Sequence, residues 1–315
     1  MKKQRVFVTG IGPISAVGIG HEEFQNGLDE GRDGRISAEF CMDRKIAVCQ
    51  DFMLEDFAVS EKTYIDRCSA LTLAACALTL EDSGIELAQQ DLTRYGLSLG
   101  TAWGCLESLA TVTERVQNKG ARLAPPLVFM HSFINSPASL AAIEFGIKGP
   151  ASTFSAGDLS SANALQYALD VLRDNRCDLI LAGGVEALSE TLLRGYGAEL
   201  FADENRTPGE GACLLTLETE HSATARGAKP LAELVAVTLA GTAESALQQA
   251  CEEAGLNVVP DVLPTQEIYG HTFGASGALD LTVAVLKIQS QAQKCVAVMS
   301  TGTCGRCSVM MVKAI

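Results

Sequence analysis

No stretch of the 315 residues approaches eighteen uninterrupted apolar side chains, so no membrane-spanning helix is expected. The opening MKKQRVFVTG starts basic, but its apolar run is too short for a secretory signal, and a cytoplasmic location is expected. Basic residues are scarce: 24 lysines and arginines stand against 38 aspartates and glutamates, a net charge of −14. Such a surface repels phosphate backbones, which argues against nucleic acid as a partner. The 11 cysteines are odd in number and scattered, several inside apolar helical runs (Cys68, Cys76, Cys251). They read as buried reduced thiols, not as a disulfide framework. The one C-x-x-C pair, Cys304 and Cys307, lacks the second pair that a structural zinc site needs. The glycine turns VTGIG (8–12) and PGEGA (208–212) lack the spacing of phosphate loops. No short-period repeat or low-complexity tract occurs. No metal or cofactor is expected.

What is present is a chain 47% hydrophobic and 20% charged, long enough to bury a large core as one domain or two fused ones. Short β-rich runs alternate with helical periodicity, the pattern of an α/β domain with a parallel or mixed sheet. VFVTGIG (6–12), Leu97–Gly100 and LILAGG (179–184) read as strands. Residues 64–83 form a nearly all-apolar helix, and 136–146 another. Beyond a turn-rich stretch near 200–210, strands are predicted at Ala212–Glu218 and Leu231–Leu239, and helices at Ala243–Ala254 and Ala278–Gln289. A closing strand pair follows at Cys295–Ser300 and Ser308–Lys313. The halves are divided at 1–204 and 205–315.

The joint at Ser155–Asp158 carries the most information. Leu159, Ala162, Leu165, Ala168, Leu169 and Leu172 recur at helical spacing, which places Asp158 at the head of a helix. There it could cap the helix, act as a nucleophile, or mark where one used to be. Aspartate is a favoured N-cap, and capping is the ordinary reading.

Motifs in order along the chain resemble a β-ketoacyl synthase of the thiolase fold: VFVTGIGPISAVG, GTAWGCLES, the Gly149–Pro150 to AGGVEA unit, GEGACLLTLE with ARGAKPLAEL, and GHTFGASGALD. The resemblance implies two related αβ halves layered α-β-α-β-α, here with a shortened second half. It also implies a cysteine nucleophile at the head of the buried helix, activated by the helix dipole and backbone N–H groups. Asp158 stands at that position. The family's first histidine has no counterpart in GLNVVPDVLPTQEIY (255–269), its lysine falls on Gln266, and its gating loop reads Thr303-Cys304-Gly305-Arg306-Cys307. His271 matches the second histidine, although a lone histidine in a glycine turn is ordinarily a packing residue. Glu186 stands where the family also has an acid, with a hydrogen-bonding role expected.

A retained fold with a lost cysteine resembles the chain-length factors of type II polyketide and aryl-polyene-like systems. The resemblance implies an inactive subunit that pairs with a catalytic ketosynthase, shapes the acyl tunnel, and leaves acyl carrier protein docking to its partner. Ala162 and Leu165, beside Thr153–Phe154, would then lie at the two-fold interface. The segment from Pro125-Pro126 through Val128, Phe129, Met130 and Phe133 would approach the tunnel in an extended form, or else fill this chain's own core. Two other readings stay open: a non-catalytic scaffold of a synthase complex, and a stand-alone thioester hydrolase or decarboxylase using Asp158 and His271.

Overall fold

The computed structural model describes residues 4–38, 44–196, 207–264, 268–291, 293–303 and 305–315. The chain begins with β1 (Val6–Ser15), β2 (Gly18–Ile19), α1 (His21–Asp29), the hairpin β3 (Arg35–Ala38) and β4 (Arg44–Ala47), and α2 (Arg67–Asp82). It continues through β5 (Tyr95–Gly100), α3 (Leu106–Lys119), α4 (Pro126–Met130), α5 (Ser136–Glu144) and β6 (Ala151–Phe154). Next come α6 (Ser160–Arg173), β7 (Leu179–Glu186), α7 (Glu190–Tyr196), β8 (Gly211–Thr219) and α8 (Glu220–Ala225). The remainder is β9 (Ala232–Ala240), α9 (Ala243–Ala254), β10 (Asp261–Leu263), α10 (Ser276–Gln289), β11 (Cys295–Thr301) and β12 (Cys307–Lys313).

Local chemistry fixes many of these ends. The Asp66 side chain caps α2 by accepting from the Cys68 N–H at 2.9 Å. Thr242 caps α9, and Gly255 ends it in the left-handed conformation at φ 69°. Pro126 occupies the first turn of α4, where a missing N–H costs nothing. The Pro125–Pro126 pair therefore starts a short helix, not the extended approach expected from the sequence.

Apart from β3 and β4, which form a two-stranded sheet of their own, the strands form one hydrogen-bonded sheet in the order β10-β11-β12-β9-β1-β8-β7-β5-β6, with β2 on β1. Within it the pattern of β6-β5-β7-β8-β1 is parallel, parallel, antiparallel, antiparallel. The run β10-β11-β12-β9 repeats that pattern from its second pair on: parallel, antiparallel, antiparallel. The two halves are thus versions of one unit, joined where β1 meets β9 at Phe7–Glu233 and Val8–Ala232. Among the described residues the second copy lacks counterparts of β6 and of the α3–α5 segment before it, so it is the shorter of the two. By pairing, β8 belongs with the first copy, so the division falls between β8 and β9. The 204/205 boundary expected from the sequence lies outside the described residues.

Alternation along the strands explains the layers. In β7, Leu179, Leu181 and Val185 join α2 and α5 on one face, while Ile180 and Ala182 join α6 and α10 on the other. In β12, Met310 and Val312 face α6 and α10, while Val309 and Met311 face α9. The order is helix, sheet, helix, sheet, helix: the five-layered thiolase-like arrangement. Strands buried on both faces read as continuous apolar runs, which is why LILAGG does not alternate.

Leu165 is fully buried with Ala162, Ala168 and Leu169 in the central layer. This corrects the expectation that Ala162 and Leu165 would form a subunit interface: α10 and both halves of the sheet already cover them. Leu165→Ala is expected to destabilise the isolated chain by about 2–5 kcal/mol, measured by urea denaturation.

Candidate functional site

The glycines of AGG bring the parts of the site together. A side chain on Gly184 would meet the Gly274 carbonyl oxygen at 2.6 Å, so the loop before α10 can lie directly against β7 only because that side chain is missing. On the other side of this loop stands the head of α6. The helix begins at Ser160, with Leu159 at the cap position and no side-chain cap on the helix. Gly157 turns the chain at φ 58°, and the Ser160 hydroxyl closes the turn, donating to the Gly157 carbonyl at 2.6 Å and accepting from the Ala156 N–H at 2.9 Å. Asp158 is therefore not the N-cap. Its Oδ1 lies 3.1 Å from Nε2 of His271, and both side chains are largely buried.

His271 is held by its backbone. Its N–H donates to the Thr207 carbonyl at 2.6 Å, and its carbonyl accepts from the Gly209 N–H at 2.8 Å. Its ring meets Phe273 at 4.8 Å and 64°. Phe273 is buried at φ 44°, a conformation that non-glycine residues rarely adopt. The structure thus brings together Asp158 and His271, which are 113 positions apart. Gln266 and Cys304 lie outside the described residues, while Cys307 is a buried thiol in β12.

Chemically, an aspartate–histidine pair can hold and pass a proton. A carboxylate is a weak nucleophile toward a thioester, and the anhydride it would form could not store an acyl chain usefully. Among the described residues, no group of three or more His, Cys, Asp or Glu side chains is placed to hold a metal ion. No described helix is long and apolar enough to cross a membrane.

Glu186 ends β7 fully buried. Its carboxylate accepts from the N–H groups of Ala102 (2.7 Å), Trp103 (3.1 Å) and Gly274 (3.1 Å) and from the Thr101 hydroxyl (3.1 Å). Burial pushes its pKa from 4.5 up to about 7, against the pull of these bonds. The folded state therefore binds a proton more tightly than the unfolded chain. The resulting stability is present below pH 4.5 and is lost as the pH rises through about 7. Glu186 is expected to contribute a fall of about 3 kcal/mol in unfolding free energy across that window. Urea titrations of the wild type at pH 5 to 8 should show a slope that Glu186→Gln removes.

Phe129, Met130 and Phe133, on and just after α4, are about half exposed, with the two phenylalanine rings edge-on at 5.1 Å. They do not fill this chain's own core. Leu127 and Ile134 extend the same apolar face. Val128 instead lines a cavity of about 400 Å³ with Ile65, Leu106 and Leu188. Thr153 and Phe154 lie on β6, the edge strand of the sheet, where Phe154 packs on Tyr167. Sequence reasoning passed over Trp103 and Tyr196, whose rings adjoin the site; no periodicity or motif spacing marks an aromatic pair brought together by loops.

The sequence profile of the family "Beta-ketoacyl synthase, N-terminal domain" matches residues 3–204. The 3-oxoacyl-[acyl-carrier-protein] synthase 2 of Vibrio cholerae is 28% identical over 271 residues, covering 77% of this chain and 64% of its own length. The chain thus spans less than two thirds of that relative. Among solved structures, "The ishigamide ketosynthase/chain length factor" superposes with a TM-score of 0.87 at 20% identity, covering 99% of this chain and 100% of that one. A ketosynthase (ApeO) in complex with its chain length factor (ApeC) from Xenorhabdus doucetiae gives 0.80 at 16% identity, covering 99% and 98%. At those identities the likeness shows the fold.

Proposed function

This chain belongs to the β-ketoacyl synthase family, and from that premise we propose that it is a non-catalytic, chain-length-factor-like subunit. It pairs with an active ketosynthase, borders the tunnel in which the acyl or polyketide chain grows, and leaves the acyl carrier protein to its partner. The observation that carries the reading is the apolar face of Leu127, Phe129, Met130, Phe133 and Ile134. A surface of that kind marks a protein contact. Asp158 in place of the nucleophile supports the inactive half of the reading, as does the partnership named for the ishigamide and ApeO–ApeC proteins. A net charge of −14 fits a subunit that repels an acidic carrier.

Three positions give a specific test. In a complex reconstituted with its ketosynthase, Phe129→Ala, Met130→Ala and Phe133→Ala shorten side chains that face away from this chain's core. If one of these side chains bounds the tunnel, its variant assembles normally and releases longer products by mass spectrometry. Normal assembly with unaltered product length in all three variants favours the scaffold reading instead. The 3.1 Å Asp158–His271 contact is what favours the second alternative, a stand-alone hydrolase or decarboxylase. Turnover of malonyl or acyl thioesters by the purified chain alone would establish it.

A further inference from the structure

Glu186 does more than satisfy its own burial. Its Oε1 accepts from Trp103 and Thr101, and its Oε2 from Ala102 and Gly274. One carboxylate therefore clips the loop after β5 to the loop that carries His271. The clip is tight: a side chain on Gly274 would meet the Ala102 nitrogen at 2.5 Å and Glu186 Oε2 at 2.9 Å. The Thr101 hydroxyl also accepts from the Gly104 N–H at 2.9 Å, which closes the first loop on itself.

The side chains beside these N–H groups form a second connection. Trp103 meets Tyr196 edge-on at 5.5 Å, Tyr196 meets Phe273 at 6.1 Å, and Phe273 meets His271 at 4.8 Å. The hydrogen bonds and the ring stack thus run side by side from the partly exposed Trp103 to the Asp158–His271 pair. The unusual φ of Phe273 is held between them, as strained backbone at a site must be.

We propose that Glu186 is a positioning residue: it latches the Trp103 loop to the Phe273 loop and so sets how His271 sits against Asp158. The latch depends on ionisation. A carboxylate accepts from all four donors at once, whereas a carboxyl that carries its own proton must give up part of that set. Among the described residues, the titratable groups facing it are few. Cys68, at the start of α2, has its pKa raised well above the thiol range by its hydrogen bond with Cys105 and by burial, so it stays neutral. Cys105 precedes α3, Tyr196 ends α7, and His271 lies beyond Phe273.

Trp103 is the chain's one tryptophan, so tryptophan emission arises at the latch. The full chain is titrated from pH 5 to 8 while Trp103 emission and the His271 ring resonances are followed. The wild type is expected to show a Trp103 transition near neutral pH and, at the same midpoint, a step in the His271 ring resonances that Glu186→Gln removes. His271→Gln should keep the Trp103 transition, Glu186→Asp should keep it with a moved midpoint, and Glu186→Gln should abolish it. If the wild type shows no Trp103 transition, or if His271→Gln removes it, the latch is overturned. The wild type and His271→Gln decide the matter even if the Glu186 variants fail to fold. The proposal stands or falls independently of the chain-length reading.

Discussion

Asp158→Cys is expected to form no ketoacyl product, with turnover at least about 10⁴-fold below that of a complete synthase. A thiol at residue 158 would regain the nucleophile and face His271, which lies 3.1 Å from the present carboxylate. Thiolate, general acid–base groups and oxyanion donors act as a unit, and restoring one member recovers little. The stretch between α9 and His271 contains neither a histidine nor a lysine to complete the set. The assay is radiolabelled malonyl condensation by the purified variant, with a complete ketosynthase as reference. Condensation above background by the single variant would overturn the account of a dismantled site.

The second large effect concerns assembly. Phe129→Asp combined with Phe133→Asp is expected to weaken binding to the ketosynthase partner by about 100-fold or more, because it would bury two unpaired carboxylates in an apolar contact. Both rings are about half exposed, so the isolated double variant should fold with near wild-type stability and be more soluble than its parent. Calorimetric titration of the partner measures the loss. Unchanged affinity would place the interface elsewhere on the chain.

The helix ends most visible in the sequence are those with a chemical stop. Thr242 and Gly255 bracket α9, and the sequence bounds Ala243–Ala254 agree with the structure. α3 escaped because only Ser108 and Val112 of its fourteen residues are buried, which leaves little apolar periodicity to detect. The period of α6 was legible, but its covering was not. A stripe of Ala162, Leu165, Ala168 and Leu169 looks the same whether α10 or another subunit lies on it. Asp158 shows the limit of local chemistry. The residue has strong capping preference, yet it falls one position outside the cap and spends its carboxylate on His271, 113 residues away. Motif order along the chain conveyed the family and the fold. Contacts across the halves, such as Glu186 to Gly274, depend on close backbone approach that no single segment encodes.

The most direct measurement is purification of the tagged chain from its native host, with mass determination of whatever co-elutes. The account predicts a one-to-one complex with a β-ketoacyl synthase that retains its cysteine nucleophile, and an insoluble or weakly self-associating chain when that partner is absent. A stable, monodisperse monomer at micromolar concentration, eluting with no synthase, would contradict it.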